Sequence, residues 1–339
     1  MERRKFIYLA FGGSALGHLG WRGGAVGGAW LDRPLAKFTR SAFALGTDVR
    51  MTVFNEDALV AEAAVASAFA AIERVEGLMS IYRPDSELSR LNRRGELENP
   101  HPDLVEVLRA AMGLSEQTGG AFDVTVQPLW ELHSQCAKVG VRPAEVDLRE
   151  ARGKVDWRQV DVSEKRIQYR RDDMRMTLNG IAQGFAADAA CRALAEQGIT
   201  SALIDAGEIG SVGGHARKGA WNIGIKHPRQ PGDLLALTRL EGRCLATSGD
   251  YETRFSDDFR NHHLFDPHTG DSPTELASVS VAASTAFEAD ALSTAVFVLG
   301  LKDGLELLES TQGADGLFVT KAGRVKRTSG FPLDRMQAM

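Results

Sequence analysis

The run LNGIAQGFAADAA, residues 178–190, constrains the fold more than any other part of the chain. It opens on Asn-Gly, a turn signal, and continues as a helix of small residues. Glycine stands at Gly180 and Gly184, where a helix interior loses about 1 kcal/mol per residue relative to alanine. Side chains are missing here because something must come close to this backbone. The pattern predicts a helix from about Gly180 to Gln197, stopped by Gly198, with SALIDAG after it as a buried strand.

The rest of the chain alternates helices with runs of strands. FALGTDVRMTVF alternates as a strand broken at Gly46. Residues 58–79 form an alanine-rich helix, with Val65, Phe69, Ile72 and Val75 at helical spacing. MSIYRPDSELSRLN is a loop turning into a short helix capped by Asp85 or Ser86. A further helix spans Leu104 to Glu116, and VDWRQVDVSEKRIQYRR reads as a hairpin about Ser163–Lys165. AWNIGIK, LLALTRL, CLATSG and LASVSVAAS are strands, and Ala286 to Leu299 is a helix. This order favours an α+β fold over a doubly wound parallel sheet. The 339 residues, 43% hydrophobic and 25% charged, allow one large or two smaller domains with a full core. A formal net charge of -5, with no dense Lys/Arg block, argues against nucleic acid as a partner.

The chain starts MERRKFIYLAFGGSALGHLG. Arg3 and Arg4 before a weakly apolar, glycine-containing run look like a twin-arginine export signal over residues 1–30. A linker at 31–40 and one catalytic unit at 41–339 are expected to follow. The location implied is periplasmic or otherwise extracytoplasmic, either released or held at the inner membrane by the signal. The three cysteines, Cys136, Cys191 and Cys244, have neither disulfide-framework nor zinc spacing.

Three segments could carry chemistry. In EADALSTAVFVLG, Asp290 and Thr294 are four apart and share a helix face. They fit a helix cap with a satisfied core threonine, the commoner role for such a pair, and they could instead be hard oxygen ligands for Mg²⁺. HHLFDPHTGDSP offers histidines that suit either a general base or a surface turn. ATSGDYE places hydroxyls and backbone N–H groups after a strand, a place for an anion. No P-loop, Rossmann or nucleophile-elbow pattern occurs.

In order, ALGTDVRMTVF, MSIYRPDSELSRLN, GGAFDVTVQPLWEL, LNGIAQGFAADAA, LIDAGEIGSVGG, LATSGDYE, HLFDPHTGDSP and SVSVAASTAFEADALSTAVFVLG resemble the FAD:protein FMN transferases of the ApbE type. The resemblance runs from about Phe43 to Gly300. It implies an ApbE-like, T-fold-related arrangement of mixed sheets flanked by helices. It also implies a transferase that uses Mg²⁺ and takes FAD as substrate. FMN would pass to a Thr or Ser hydroxyl of an acceptor flavoprotein, exported or membrane-bound, with release of AMP. A backbone carbonyl at Gly180 and the side chains of Asp290, Ser293 and Thr294 match the metal positions. Leu45, Tyr82, Ala121, Phe122, Asp123, Thr177, Gln183 and Phe265 match positions that contact FAD. His263 matches the histidine that would activate the acceptor hydroxyl; Asp266 would either orient that loop or the histidine, or simply fix the Asp-Pro turn. Gln183 stands where the family often has Lys, Thr177 where many members have Asp, and Ala206 where the first of two glycines is usual. An FAD pyrophosphatase, a non-catalytic FAD-binding protein and a flavin-dependent oxidoreductase are the competing readings.

Overall fold

The structure, a computed structural model, describes residues 35–336. The export signal read at residues 1–30 lies outside the described residues. Residues 36–40, expected as linker, belong to the first strand. That strand, β1 (Ala36–Ala44), forms a hairpin with β2 (Thr47–Asn55). The expected break at Gly46 is its two-residue turn. Leu45 and Gly46 both have positive φ, 53° and 76°, as a turn that follows the right-handed strand twist requires.

The chain then continues through α1 (Ala58–Met79), α2 (Glu87–Arg94), β3 (Glu96–Glu98) and α3 (Pro102–Gln117). Two further helices, α4 (Gln127–Lys138) and α5 (Glu145–Arg152), precede β4 (Val160–Val162) and β5 (Arg166–Tyr169). The small-residue segment forms α6 (Ala182–Glu196), followed by β6 (Ala202–Asp205) and β7 (Ile209–Val212). Next come β8 (Trp221–Lys226), β9 (Leu234–Leu240), β10 (Cys244–Gly249) and β11 (Leu276–Ala283). The chain closes with α7 (Ala286–Ser310), β12 (Asp315–Thr320), β13 (Val325–Arg327) and β14 (Leu333–Met336).

Eight strands make the main sheet in the order β1-β2-β6-β7-β10-β11-β12-β13. Every strand pairing among the described residues is antiparallel. The helices α1, α6 and α7 join one core with Val49, Met51, Val53, Val279 and Val281 of the sheet. Ala61, Ala64, Ala68, Ala186, Ala189 and Ala190 are among the small residues of that core. A second core, with Phe54, Trp221, Ile225, Leu245 and Ala282, joins the main sheet to a three-stranded sheet ordered β14-β9-β8. All eight residues of β11 are buried, because cores lie on both its faces. This is the α+β combination expected.

Helix ends follow the capping chemistry. Asp57 accepts from Leu59 N at 2.8 Å and starts α1, and Ser86 rather than Asp85 caps α2 through Ser89 N at 3.0 Å. The helix expected to end at Leu299 breaks there and resumes. Gly300 has φ 82° inside α7. The Glu275 carboxylate accepts from Leu301 N at 3.0 Å and so caps the second half. Among the described residues no helix is long and apolar enough to cross a membrane.

Candidate active site

What comes close to Gly180 and Gly184 is helix α7. A Cβ at Gly184 would lie 2.2 Å from the Ala286 carbonyl oxygen and 2.7 Å from Asp290 Cβ. One at Gly180 would lie 2.9 Å from Thr294 Oγ1. The missing side chains therefore bring the backbone of 180–184 onto Asp290 and Thr294. Asp290 Oδ2 accepts from Gly184 N at 2.8 Å. Asp188 of α6 ties the same helices again, accepting from Ala286 N and Phe287 N at 2.9 Å each. Thr285, and not Asp290, is the side chain that caps α7. Of the two readings left open by the sequence, Asp290 is thus not the cap.

Around these residues lies a ring of hydroxyls. Ser248, the penultimate residue of β10, reaches Ser293 Oγ at 2.8 Å and Thr294 Oγ1 at 3.3 Å. Ser293 donates to the Asp290 carbonyl at 2.9 Å. Glu208 accepts from Thr247 N at 3.2 Å and is buried. Burial, and then the charge of Asp290, hold the Glu208 carboxyl well above its ordinary pKa. Burial, with Asp188 nearby, likewise raises Asp290. No ion pair among the described residues engages either carboxylate. Two buried carboxylates without a cation, beside clustered hydroxyls, are a donor set that fits a hard divalent ion. No group of three or more His, Cys, Asp or Glu among the described residues is placed to hold a metal ion by those side chains alone, so a zinc-type set is not what this site offers. Glu208 is not legible in the sequence, because a glutamate after the Ala-Gly of DAGEI is ordinary turn chemistry until its burial is known.

His263 stands in the loop between β10 and β11, half-buried. Its backbone N and its Nδ1 both reach the Thr253 carbonyl, at 3.0 and 3.2 Å. A carbonyl only accepts, so Nδ1 carries the proton and the Nε2 lone pair is left free. Burial lowers the pKa, with the Thr253 hydrogen bond opposing it. The neighbouring His262 is fully buried and structural. Its Nε2 donates to the Pro273 carbonyl at 3.0 Å, and its ring meets Phe297 of α7 at 5.5 Å. Phe297 lies one helical turn beyond Thr294, so His262 anchors the His263 loop next to the Asp290–Thr294 face.

The flavin-matched residues fall into groups. Ala121, Phe122 and Asp123 are buried in one loop, to which Thr177 is tied by its N–H on the Val124 carbonyl at 2.8 Å. Asp123 accepts from Thr125 N and Oγ1 at 2.7 and 2.6 Å, and from Trp157 N at 3.1 Å. Its carboxylate therefore orders the loop. His268 joins this loop to the histidine segment, reaching the Gly119 carbonyl at 3.2 Å and Asp266 at 3.1 Å. Asp266 thus holds His268 and its own turn, not His263. Gln183 lies over Gly207, whose Cβ would come 2.8 Å from Gln183 Nε2. Phe265 is buried, its ring 4.8 Å from His133 in a small core with Leu129 and Leu148. Tyr82 is exposed, and Leu45 sits in the β1–β2 turn.

The sequence model of the ApbE family matches residues 45–318. The chain belongs to the ApbE family. It is 32% identical over 328 residues to the FAD:protein FMN transferase of Treponema pallidum, covering 89% of this chain and 90% of that protein. The protein of the same name from Haemophilus influenzae is 32% identical over 275 residues, 75% of this chain and 79% of its own. Among solved structures, the ApbE protein of Thermotoga maritima superposes with a TM-score of 0.77 at 30% identity, over 87% of this chain and 97% of that one. The flavin transferase ApbE of Vibrio cholerae gives a TM-score of 0.76 at 26% identity, over 88% and 99%. The ApbE fold is therefore shared across nearly the whole described region.

Proposed function

We propose that this enzyme transfers the FMN part of FAD onto a Thr or Ser hydroxyl of an exported acceptor flavoprotein and releases AMP. One observation carries the reading: Asp290 and Thr294 of α7 meet the glycine-stripped backbone of 180–184, in a chain matched over 89% of its length with a protein named FAD:protein FMN transferase. The Asp290 carboxylate, the Thr294 and Ser293 hydroxyls and the Gly180 carbonyl would hold Mg²⁺. Bound there, Mg²⁺ supplies charge neutralisation for the pyrophosphate and the departing AMP. The loop of Ala121, Phe122 and Asp123, with Leu45, Tyr82, Thr177, Gln183 and Phe265, would bound the FAD site.

His263 accepts the proton of the acceptor hydroxyl at Nε2 while Nδ1–H stays on the Thr253 carbonyl. The hydroxyl oxygen bonds to the FMN-side phosphorus as the bond from that phosphorus to the AMP oxygen breaks. The lowered pKa keeps His263 neutral, and so able to take a proton, at neutral pH. Residues 1–30 would direct the folded enzyme out of the cytoplasm, to where its acceptors reside.

The test is incubation with FAD, Mg²⁺ and a candidate exported flavoprotein. Covalent FMN on a Thr or Ser and an equal amount of AMP are expected. His263→Ala should retain FAD and lose transfer. Rapid FMN and AMP release with no acceptor labelling would replace the proposal with an FAD pyrophosphatase.

A further inference from the structure

A buried ionic cluster lies beside the loop that carries His263. Asp250, just after β10, is 0% exposed. Arg229 grips it with two nitrogens, each 2.7 Å from a carboxylate oxygen. Lys321, just after β12, stands 3.4 Å from the same group. Both cations also hold the loop. The Arg229 guanidinium lies 4.1 Å from the centre of the Phe259 ring, and the Lys321 ammonium donates to the Phe259 carbonyl. Phe259 has φ 59°, a left-handed conformation that a bulky residue keeps only when its surroundings impose it.

The loop is thus clamped at its tip and closed at its stem. The stem pairs Arg254 with His262, and Phe255 N donates to the Asn261 carbonyl at 2.7 Å. The next pair, Thr253 with His263, is the one that sets the tautomer of the imidazole. Buried ion pairs add little net stability over apolar side chains of the same volume, but a bidentate pair imposes one geometry. We propose that Asp250, acting through Arg229 and Lys321, is a positioning residue: it fixes the 253–263 loop and with it the orientation and tautomer of His263. The inference rests on the reading above in which His263 is the base.

Asp250→Asn keeps the shape and removes the charge. Lys321→Met leaves the Asp250–Arg229 pair intact and removes one of the two holds on the tip. Both should lower kcat for FMN transfer, Asp250→Asn by about 10²-fold, the loss that displacement of reacting groups by ~1 Å produces. KM for FAD should stay at the wild-type value in both. Imidazole nitrogen chemical shifts should report a pure Nδ1–H tautomer for His263 in the wild type and a mixture in the variants. If Asp250→Asn does not fold, Lys321→Met decides alone. Wild-type kcat and tautomer in a folded variant overturn the proposal, and so does a parallel loss of FAD affinity and turnover. His263→Ala in the same assay separates the two levels. Full transfer there sinks the assignment of the base, whereas loss there beside unaffected Asp250→Asn and Lys321→Met sinks the positioning alone.

Discussion

Alanine at position 184 tests why this helix lacks side chains. The added methyl would sit 2.2 Å from the Ala286 oxygen and 2.7 Å from both the Ala286 carbonyl carbon and Asp290 Cβ. These neighbours are backbone or the root of a side chain, so no rotamer change relieves the overlap. Carbon atoms rest about 3.5–4.0 Å apart, so α6 and α7 must separate. Separation stretches the 2.8 Å bond from Gly184 N to Asp290. Overpacking costs about 1–3 kcal/mol, and a lost hydrogen bond to a charged group about 1.5–3. Alanine returns about 1 kcal/mol in helix propensity. The net loss of about 1.5–5 kcal/mol should lower Tm by roughly 2–8 °C in a chain of this size. Gly180→Ala differs, because its methyl would meet Thr294 Oγ1 at 2.9 Å and Cγ2 at 3.1 Å. Those atoms can turn away, so stability should fall by about 1 kcal/mol, while Mg²⁺ should no longer raise Tm. Calorimetric scans of both variants, with and without Mg²⁺, check this. A wild-type Tm for Gly184→Ala, or a larger drop for Gly180→Ala than for Gly184→Ala, refutes the reasoning.

With Mg²⁺ held at Asp290 as proposed, Mg²⁺ should raise the Tm of the wild type and leave that of Asp290→Asn unchanged. The substitution should also stabilise the metal-free protein increasingly as pH rises. The folded-state pKa of Asp290 is raised, chiefly by burial, so the folded protein holds that proton above the ordinary 3.8 and ionisation costs stability on the way up. The Tm difference between variant and wild type reports Asp290 together with Glu208, whose pKa the Asp290 charge raises, and cancels His262 and His263, whose lowered pKa values act in the opposite direction. A difference independent of pH would show that Asp290 is not held in an unfavourable charged state. Changing Arg3 and Arg4 to Lys keeps the charge and should abolish export through the twin-arginine route. Undiminished periplasmic activity by that route would refute the signal.

How much was legible depended on whether a residue type forces one geometry. The boundaries of α1 were legible because Val65, Ile72 and Val75 share one period, and Gly198 ends α6 because only such a residue stops the helix cleanly. The close approach at Gly180 and Gly184 was legible as an absence of side chains. Its partner was legible only through the family resemblance and not from the residues themselves, because Asp290 is 106 positions from Gly184 and only the crossing of α6 and α7 joins them. The helices α4 and α5 and the strands β12 to β14 carry weak local patterns, and tertiary packing decides them. The roles of His262 and His263 could not be told apart from adjacent letters. Burial and the carbonyls of Pro273 and Thr253 separate them. Asp250 and Glu208 went unread because a carboxylate after a strand or turn is ordinary until its surroundings are known.

The departures at Ala206 and Gln183 carry different weights. Gly207 has φ 93°, a left-handed value, while Ala206 is not among the residues with positive φ. Ala206 is fully buried and donates to the Glu208 carbonyl at 3.0 Å, so alanine there leaves the turn intact. The glycine the turn needs is the second one, and this chain keeps it. Gly207 also gives Gln183 its room, since a methyl at 207 would sit 2.8 Å from Gln183 Nε2 and 3.3 Å from its Cδ. Gly207→Ala should therefore cost about 1–2 kcal/mol from backbone strain and push Gln183 off its seat. The Gln183 tip can move, so the protein should still fold, and FAD affinity should fall while the Mg²⁺ response persists. Titration of FAD into Gly207→Ala beside Gln183→Ala checks the coupling. If the two losses simply add in the double variant, Gly207 does not act by seating Gln183, and the glycine is there for the turn alone.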